Sequence, residues 1–159
     1  MTERHPVRIE VNGSWHDGSV EPRLTLADIL REDLDMTGTH IACEHGFCGN
    51  CNVLLDGETV RSCLMFAVQA DGCSLTTVEG LAEPDSTLGR LQQAFHDNHG
   101  LQCGFCTPAM LLTAHEYLAS HPDGGSDEEI REAISGVLCR CTGYQHIVES
   151  IRAAAGGAP

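Results

Sequence analysis

The sequence predicts an α+β protein in which a small mixed α+β unit precedes an all-helical unit. Apolar and charged residues alternate from Val7 to Val11 and end at Asn12-Gly13, a pattern typical of a strand that enters a β-hairpin. After residue 86, apolar residues recur with helical spacing instead. A segment with Gly and Pro separates the two patterns. The expected divisions are residues 1–80 for the first unit, 81–85 for the connector and 86–159 for the helical unit.

The first unit is expected to contain two hairpins and one short helix. Thr25 and Asp28 form a capping box that starts the helix. Asp56-Gly57 separates two short strand-like runs, and this dipeptide is a strong signal for a two-residue hairpin turn. The remaining strands are expected within residues 14–20 and near residues 74–78.

The second unit is expected to contain four helices. Thr107 followed by Pro108 suits the cap and the first position of one of them. Capping boxes are expected to start two others, Ser126 with Glu129 and Thr142 with Gln145. The clearest apolar stripe in the chain is Ile130, Ala133, Ile134, Val137 and Leu138. The expected helices span residues 86–98, 107–120, 127–138 and 144–155, and the Gly-Gly-Ala-Pro tail is expected to fray.

Composition excludes several classes of function. The chain has 159 residues, with 9 Lys and Arg against 23 Asp and Glu, which gives a formal charge of −14. Aromatic residues are only 4% and no basic stripe is present, so nucleic-acid binding is not expected. No run approaches the roughly 18 apolar residues of a membrane span. The N-terminus lacks the apolar segment of a secretory signal, so a cytoplasmic location is expected.

Nine cysteines point to metal binding. Their number is odd, no export signal precedes them, and a chain of this length does not need disulfides to fold, so a disulfide framework is disfavoured. They fall into two groups of four, with Cys73 left over. The groups are Cys43, Cys48, Cys51 and Cys63, and Cys103, Cys106, Cys139 and Cys141.

The first group has the C-x4-C-x2-C…C spacing of a plant-type 2Fe–2S cluster. A short loop must wrap three thiolates around the cluster, and Gly46 and Gly49 supply the backbone angles that this requires. The hairpin at Asp56-Gly57 places Ser62 opposite Cys51, so it returns Cys63 to the loop.

Two other kinds of metal site could use thiols of this group. A Rieske centre needs a second Cys-x-x-His pair, and none follows Cys43-Glu-His45. Structural zinc often uses two C-x2-C pairs about 12–20 residues apart, whereas the pairs here begin at Cys48 and Cys103. The first group is therefore interpreted as an iron–sulfur site.

The second group combines a C-x2-C pair with a C-x-C pair 32 residues later. The two helices between the pairs are expected to pack antiparallel, because only a short loop joins them. That packing brings Cys139 and Cys141 beside Cys103 and Cys106. Spacing alone leaves both zinc and iron–sulfur open for this group.

Five motifs, in fixed order, resemble the small iron–sulfur subunit of the molybdenum hydroxylases, the family of xanthine oxidase and aerobic carbon monoxide dehydrogenase. The resemblance covers roughly residues 5–155. The motifs are Cys43-Glu-His-Gly-Phe-Cys-Gly, Arg61-Ser-Cys-Leu, Thr77-Val-Glu-Gly-Leu-Ala, Gln102-Cys-Gly-Phe-Cys-Thr-Pro and Leu138-Cys-Arg-Cys-Thr-Gly-Tyr.

The resemblance implies a ferredoxin-like β-grasp domain followed by a four-helix-bundle domain, each with one 2Fe–2S cluster. It also implies a hetero-oligomer, often a dimer of heterotrimers. The cluster of the helical domain would lie nearest a molybdopterin cofactor on a large partner subunit. The plant-type cluster would lie toward FAD on a medium subunit. The residues that match the family's contacts to the pterin are Gln102 and Cys141.

The implied function is electron transfer, from molybdenum to flavin or another acceptor, during oxidation or hydroxylation of a small substrate. The chain itself is expected to supply no catalytic acid, base or nucleophile. Two other classes stay open, a free-standing ferredoxin and a zinc-stapled interaction module. The helical unit argues against a free ferredoxin, which does not need it.

Several further residues carry their own expectations. Asn50 and Asn52 depart from the residues common in the family beside Cys51, and are expected to alter hydrogen bonding to the cluster. Ala109 stands where the family commonly has Gly, at a helix start that tolerates Ala. Cys73 is expected to be an ordinary small residue. For His45, electrostatic tuning and a plain surface role are both open. For Gln102 the alternative is an amide that caps a helix.

Overall fold

A computed structural model of the chain describes residues 3–83, 85 and 87–156. Its N-terminal part is a five-stranded mixed sheet with the order β2-β1-β5-β3-β4. β1 and β5 pair in parallel, and the other neighbouring strands pair antiparallel. The strands are β1 (His5–Val11), β2 (Ser14–Val20), β3 (Asn52–Leu55), β4 (Glu58–Arg61) and β5 (Ser74–Thr76). Pro84, the predicted helix start at Ser86 and the tail 157–159 lie outside the described residues.

Both predicted hairpins are present, and each turns where the sequence indicated. Asn12 and Gly13 have φ of 50° and 79°, and Asp56 and Gly57 have 50° and 90°. Positive φ at both central residues is what a two-residue hairpin turn requires. The alternation of β1 is also confirmed, because its apolar residues are buried and contribute to the core of the sheet. That core is Val7, Ile9, Val11, Val20, Leu26, Ile29, Leu30, Val53, Ala67, Ala70 and Leu75.

The predicted short helix, α1 (Leu26–Asp28), starts with the expected capping box. The Thr25 hydroxyl accepts the Asp28 amide at 3.2 Å, and the Asp28 carboxylate accepts the Thr25 amide at 3.2 Å. The chain then continues through a wider π-type turn, Ile29–Asp33. β5 is shorter than expected, because Val78 already belongs to a 3-10 turn that ends at Leu81.

The C-terminal part contains four helices packed on one apolar core. That core includes the side chains of Phe95, Met110, Ile130, Ile134, Ile147, Val148 and Ile151. The helices are α2 (Arg90–Asp97), α3 (Thr107–Ser120), α4 (Asp127–Ile134) and α5 (Gln145–Ala154). The capping box of Ser126 with Glu129 is confirmed at the start of α4.

Helix α4 ends earlier than predicted. The prediction extended it to Leu138, but the helix stops at Ile134 and the chain turns at Ser135 and Gly136. Val137 remains buried, whereas Leu138 is 41% exposed. The turn allows the Leu138 amide to donate to the Cys48 carbonyl at 2.8 Å, a contact that a continued helix would not make.

Two predicted helix starts were wrong in detail, and a third helix is shorter than predicted over its described residues. Cys106 is the N-cap of α3, so Thr107 is its first residue. Tyr144 caps α5 with a φ of 68°, and its amide donates to the Thr142 hydroxyl at 3.1 Å, so the predicted capping box with Gln145 does not form. Helix α2 begins at Arg90, and the Gly89 amide before it donates to the Gln92 side chain at 2.8 Å.

Helix α3 joins the two parts of the molecule. It lies against β3 and β4. The Asn52 amide donates to the Thr113 hydroxyl at 3.0 Å, and the Thr59 amide donates to the Glu116 carboxylate at 3.2 Å. Among the described residues, no helix is both long enough and apolar enough to cross a membrane.

Candidate metal centres

The first group of cysteines lies on the loop before β3 and at the end of β4. Three of its thiols are buried and Cys43 is partly buried. Gly46 and Gly49 have φ of 81° and 71°, as the sequence predicted, and Glu44 has a φ of 54°, which the sequence did not predict. These left-handed residues fold the loop back on itself. As a result its backbone amides face its own thiols.

The amides of the loop stabilise a thiolate at Cys43. The Cys48 amide donates to the Cys43 sulfur at 3.4 Å. Together with the amides of His45 and Phe47 it lowers the pKa of Cys43 to about 6. Hydrogen bonds to the charged form favour ionisation, so this thiol is mostly ionised at neutral pH. A thiolate is the form that binds metal.

The hairpin returns Cys63 to Cys51, as predicted. Cys51 lies opposite Ser62, whose amide and hydroxyl donate to the Cys51 carbonyl at 3.3 and 2.6 Å. Burial raises the pKa of Cys63 to about 12, the neighbouring Cys51 raises it further, and the Gly46 amide opposes both. Cys63 is therefore protonated at neutral pH in the absence of metal. Metal binding at Cys63 would therefore release a proton.

The second group of cysteines is assembled from two segments. Cys103 and Cys106 flank a turn at Gly104, whose φ is 83°, just before α3. Cys139 and Cys141 follow the turn after α4. The thiols approach in pairs, Cys106 with Cys139 and Cys103 with Cys141.

Burial and hydrogen bonding distinguish the thiols of this group. Burial, followed by the contact with Cys139, raises the pKa of Cys106 to about 12. Burial acts in the same direction on Cys139, but hydrogen bonds from Thr142, Cys141 and Cys106 together outweigh it and lower the pKa of Cys139. The Cys139 sulfur lies 3.1 Å from the Thr142 hydroxyl. The hydrogen bond with Cys103 raises the pKa of Cys141, which is exposed.

The second group surrounds a cavity of about 440 Å³. Its described lining contains no carboxylate and no imidazole, and thiols are its only metal-binding side chains. Soft thiolate donors select iron–sulfur clusters, zinc or Cu(I). The lining residues are Ala42, Asn50, Phe105, Leu138, Arg140 and the four cysteines.

Both donor sets fit a two-iron cluster. Among the described residues, no three His, Cys, Asp or Glu side chains are arranged to hold one metal ion. The thiols instead meet in twos, and a 2Fe–2S cluster takes two protein ligands on each iron. The cradle of amides around Cys43 also fits, because hydrogen bonds to sulfur are a feature of such sites.

The two sites meet along a seam of backbone contacts. The carbonyl of Cys48, in the first site, accepts the amide of Leu138, the residue before Cys139 in the second site, at 2.8 Å. Beside it, a Cβ on Gly49 would lie 2.1 Å from the Gly136 carbonyl oxygen. Only glycine permits this approach. The loop that carries three thiols of one site therefore touches the segment that carries two thiols of the other.

The asparagines beside Cys51 lie at this junction. Asn50 is 6% exposed, lines the cavity of the second site, and its side-chain oxygen has no hydrogen-bond partner among the described residues. Asn52 bonds to Thr113 of α3 and accepts from Arg61. Each asparagine thus connects the two parts of the molecule, a role that the sequence did not predict.

The structure also places the other residues that the sequence analysis named. Gln102 is exposed at the rim of the second site, and since Cys106 caps α3, Gln102 is not a helix cap. His45 is exposed, and its ring nitrogen Nδ1 lies 2.5 Å from the Cys43 carbonyl oxygen, which raises the pKa of this histidine. Cys73 leads into β5, where its carbonyl accepts the Glu10 amide at 3.0 Å. Ala109 is fully buried in α3.

Sequence reasoning missed three residues that shape the sites. His40 stacks on the Phe105 ring, with centroids 4.7 Å apart, and its Nδ1 lies 2.7 Å from the Phe105 carbonyl oxygen. The Tyr144 hydroxyl accepts the Cys139 amide at 2.9 Å. Arg61 donates to three acceptors around both sites. Arg61 and Tyr144 belong to motifs quoted above, but a motif does not reveal their partners.

Comparison with known proteins agrees with this arrangement. Residues 9–76 match the 2Fe-2S iron-sulfur cluster binding domain, and residues 77–152 match a second family described as a 2Fe-2S binding domain. The caffeine dehydrogenase subunit gamma of Pseudomonas sp. (strain CBB1) is 57% identical over 150 residues, 93% of this chain and 89% of that protein. The nicotine 6-hydroxylase small subunit of Paenarthrobacter nicotinovorans is 50% identical over 155 residues, 98% of this chain and 92% of that protein.

A solved structure matches as well. In the crystal structure of quinoline 2-oxidoreductase from Pseudomonas putida 86, one chain superimposes with a TM-score of 0.91 at 50% identity, covering 95% of this chain and 93% of that one. The chain belongs to the family of small iron–sulfur subunits of the molybdenum hydroxylases.

Proposed function

We propose that the two cysteine groups form two 2Fe–2S sites of an electron-transfer subunit, the first on Cys43, Cys48, Cys51 and Cys63 and the second on Cys103, Cys106, Cys139 and Cys141. The observation that carries this proposal is the Leu138–Cys48 hydrogen bond of 2.8 Å, which joins the backbones of the two sites. A 2Fe–2S cluster accepts and releases single electrons. This chain holds the two sites in direct backbone contact.

The exposed apolar residues support two docking faces for partner subunits. Around the second site, Leu101, Phe105 and Leu138 are 39–41% exposed, and Cys103, Cys141 and Gln102 lie on the same rim. This face is assigned to the large molybdenum subunit, with Gln102 and Cys141 toward its pterin. Around the first site, Phe47 is 73% and Leu64 56% exposed. This face is assigned to a medium FAD-binding subunit or another acceptor.

The division proposed for the chain is the one that the sequence predicts. Residues 1–80 form the ferredoxin-like domain, 81–85 the connector and 86–159 the helical domain, in which α2 to α5 form a four-helix bundle. The complex is a hetero-oligomer, a dimer of heterotrimers if the medium subunit is present. Nine free thiols suit the reducing conditions of the cytoplasm.

Because relatives are named for caffeine, nicotine and quinoline, the substrate proposed for the complex is a nitrogen heterocycle.

The decisive experiment is metal analysis of the purified chain, combined with EPR after reduction by dithionite. We expect about four irons per chain and two distinct signals. About two irons with zinc making up the balance would make the helical site structural, and would contradict the proposed electron-transfer path.

A sizing column run on native extract distinguishes a subunit of a complex from a free ferredoxin. Elution of all the chain as a 17.1 kDa monomer would contradict the complex.

A further inference from the structure

Arg61 lies at the end of β4, two residues before Cys63, and its guanidinium donates to three acceptors. Its Nε donates to the Gly46 carbonyl of the first cysteine loop at 3.3 Å. Its Nη2 donates to the Gly136 carbonyl, in the turn that precedes Cys139, at 3.0 Å. The third acceptor is the Asn52 side chain, which in turn bonds to Thr113 of α3. One side chain therefore holds the backbones of both sites.

In the part of the chain that the structure describes, no carboxylate forms an ion pair with this guanidinium. Among the described residues, the arginines that form ion pairs are Arg8, Arg23 and Arg152. The acceptors around Arg61 are two carbonyls and an amide, all uncharged. In a chain with a formal charge of −14, Arg61 places an unpaired positive charge between two sites of thiolates.

The geometry also connects that charge to a thiol of the first site through a single residue, Gly46. The amide of Gly46 faces the Cys63 thiol and lowers its pKa, while the carbonyl of the same residue accepts from Arg61. On the second side the contact is to Gly136, three residues before Cys139. A positive charge stabilises the reduced, more negative state of a cluster, and net charge is one of the factors that set cluster potentials.

We propose that Arg61 is a positioning residue for both sites, which links the first cysteine loop to the turn before Cys139 and raises the reduction potential of the first cluster above that of a neutral variant. This inference rests on the proposed function, in that both thiol groups hold 2Fe–2S clusters. Lysine cannot replace arginine here, because a single ammonium group does not reproduce the planar fork that spans three acceptors.

The link is tested by hydrogen–deuterium exchange on the full chain loaded with iron, comparing the wild type with Arg61→Lys. Residues 46–49 and 136–139 are both expected to exchange about fivefold faster, the factor that corresponds to the loss of one net hydrogen bond. Arg31→Lys is the matched control, since Arg31 also donates to two backbone carbonyls, those of Thr37 and Thr39, both at 2.8 Å. Faster exchange in only one of the two segments would overturn the link.

The charge is tested by EPR-monitored redox titration of Arg61→Gln and Arg61→Lys. We expect the glutamine variant to lower the midpoint potential of the first cluster, and to lower that of the second cluster less. The lysine variant, which keeps the charge, is expected to stay near the wild type. Arg8→Gln is the charge control, because Arg8 lies on β1, separated from β4 by β5 and β3. Equal midpoints in Arg61→Gln and the wild type would overturn the charge role.

Iron and sulfide analysis accompanies each titration. If Arg61→Gln fails to load its first cluster, the Arg61→Lys exchange experiment still decides whether the link exists. A wild-type chain without two clusters would contradict the proposed function itself. That failure is visible before any variant is compared, so it is distinct from a failure of the Arg61 inference.

Discussion

At the scale of single residues, the fold depends on a few positions that only one type of residue can occupy. Gly49 is the clearest of them. Its φ is 71°, and a Cβ there would lie 2.1 Å from the Gly136 carbonyl oxygen and 3.0 Å from the Val137 Cα. Backbone cannot move aside as the end of a flexible side chain can. Gly49 is therefore required both for the shape of the first loop and for its contact with the second site.

Replacement of Gly49 by alanine is expected to destabilise the chain by more than the ~1–2 kcal/mol that a left-handed conformation costs an ordinary residue. The clash with Gly136 adds to that cost. Denaturant unfolding measures the change. Gly57→Ala is the control, because Gly57 also has a left-handed φ, of 90°, but among the described residues beyond its two chain neighbours no atom lies within 4 Å of the added Cβ. Equal losses in the two variants would show that the close approach does not matter.

At the scale of elements, the ends of the helices are set by local hydrogen bonds wherever no metal site intervenes. Ser126 and Glu129 cap α4 reciprocally. The Ser126 hydroxyl accepts the Glu129 amide at 3.3 Å, and the Glu129 carboxylate accepts the Ser126 amide at 2.7 Å. The other end of α4 is set instead by the approach of Leu138 to Cys48. The start of α4 is therefore a property of its own sequence, whereas its end is not.

Loss of the cap by Ser126→Ala is expected to destabilise the chain by about 1 kcal/mol, the usual cost of removing a serine cap. Urea unfolding at pH 7 measures it. Ser135→Ala is a matched control at the other end of the helix, where the hydroxyl only donates to the Glu132 carbonyl at 2.7 Å. A larger loss in the control would contradict the importance of the N-terminal cap.

The same capping box predicts a dependence on pH. Hydrogen bonds from the Ser126 hydroxyl and amide lower the pKa of Glu129 in the folded chain. A lowered pKa stabilises the fold above the ordinary glutamate value, and this contribution is lost as the pH falls through the folded value. Glu129→Gln should therefore lose less stability than the wild type upon acidification below pH 4.5. Parallel stability curves for the two proteins would contradict this.

At the scale of the whole molecule, the two parts have separate cores, which meet where α3 packs on the sheet and along the seam beside the two sites. Each core is built from its own apolar residues, and α3 packs on β3 and β4 through a few polar contacts. Hydrogen bonds from Leu138 to Cys48 and from Arg61 to Gly136 cross the seam beside the sites. They involve backbone carbonyls, so removal of a thiol leaves them in place.

Cys48→Ser is therefore expected to remove the first cluster and leave the second. The serine keeps the backbone carbonyl that Leu138 requires, so the helical site stays in position. EPR of the reduced protein checks this by the loss of one of two signals, and iron content should fall by about half. Cys73→Ser is the control and should change neither signal. Simultaneous loss of both signals would mean that the sites do not form independently.

The sequence by itself determined most of the elements and the grouping of the cysteines. Hairpins at Asn12-Gly13 and Asp56-Gly57, and the caps at Thr25 and Ser126, depend on residues close together in the chain. Local backbone preference and side-chain hydrogen bonds determine such features, and both can be predicted from short sequence motifs. The position of Cys63 opposite the first loop also followed, because a two-residue turn fixes the register of its hairpin.

Only the tertiary structure decided how the two sites face one another. The hydrogen bonds of Arg61 and the contact of His40 with Phe105 join residues that are distant in sequence. The early end of α4 and the cap of α5 at Tyr144 lie in the segment that makes such contacts. Local preference favoured a longer α4 and a capping box at Thr142. Both gave way to contacts of the segment after α4, in which Leu138 donates to Cys48 and the Thr142 hydroxyl contacts the Cys139 sulfur and accepts the Tyr144 amide.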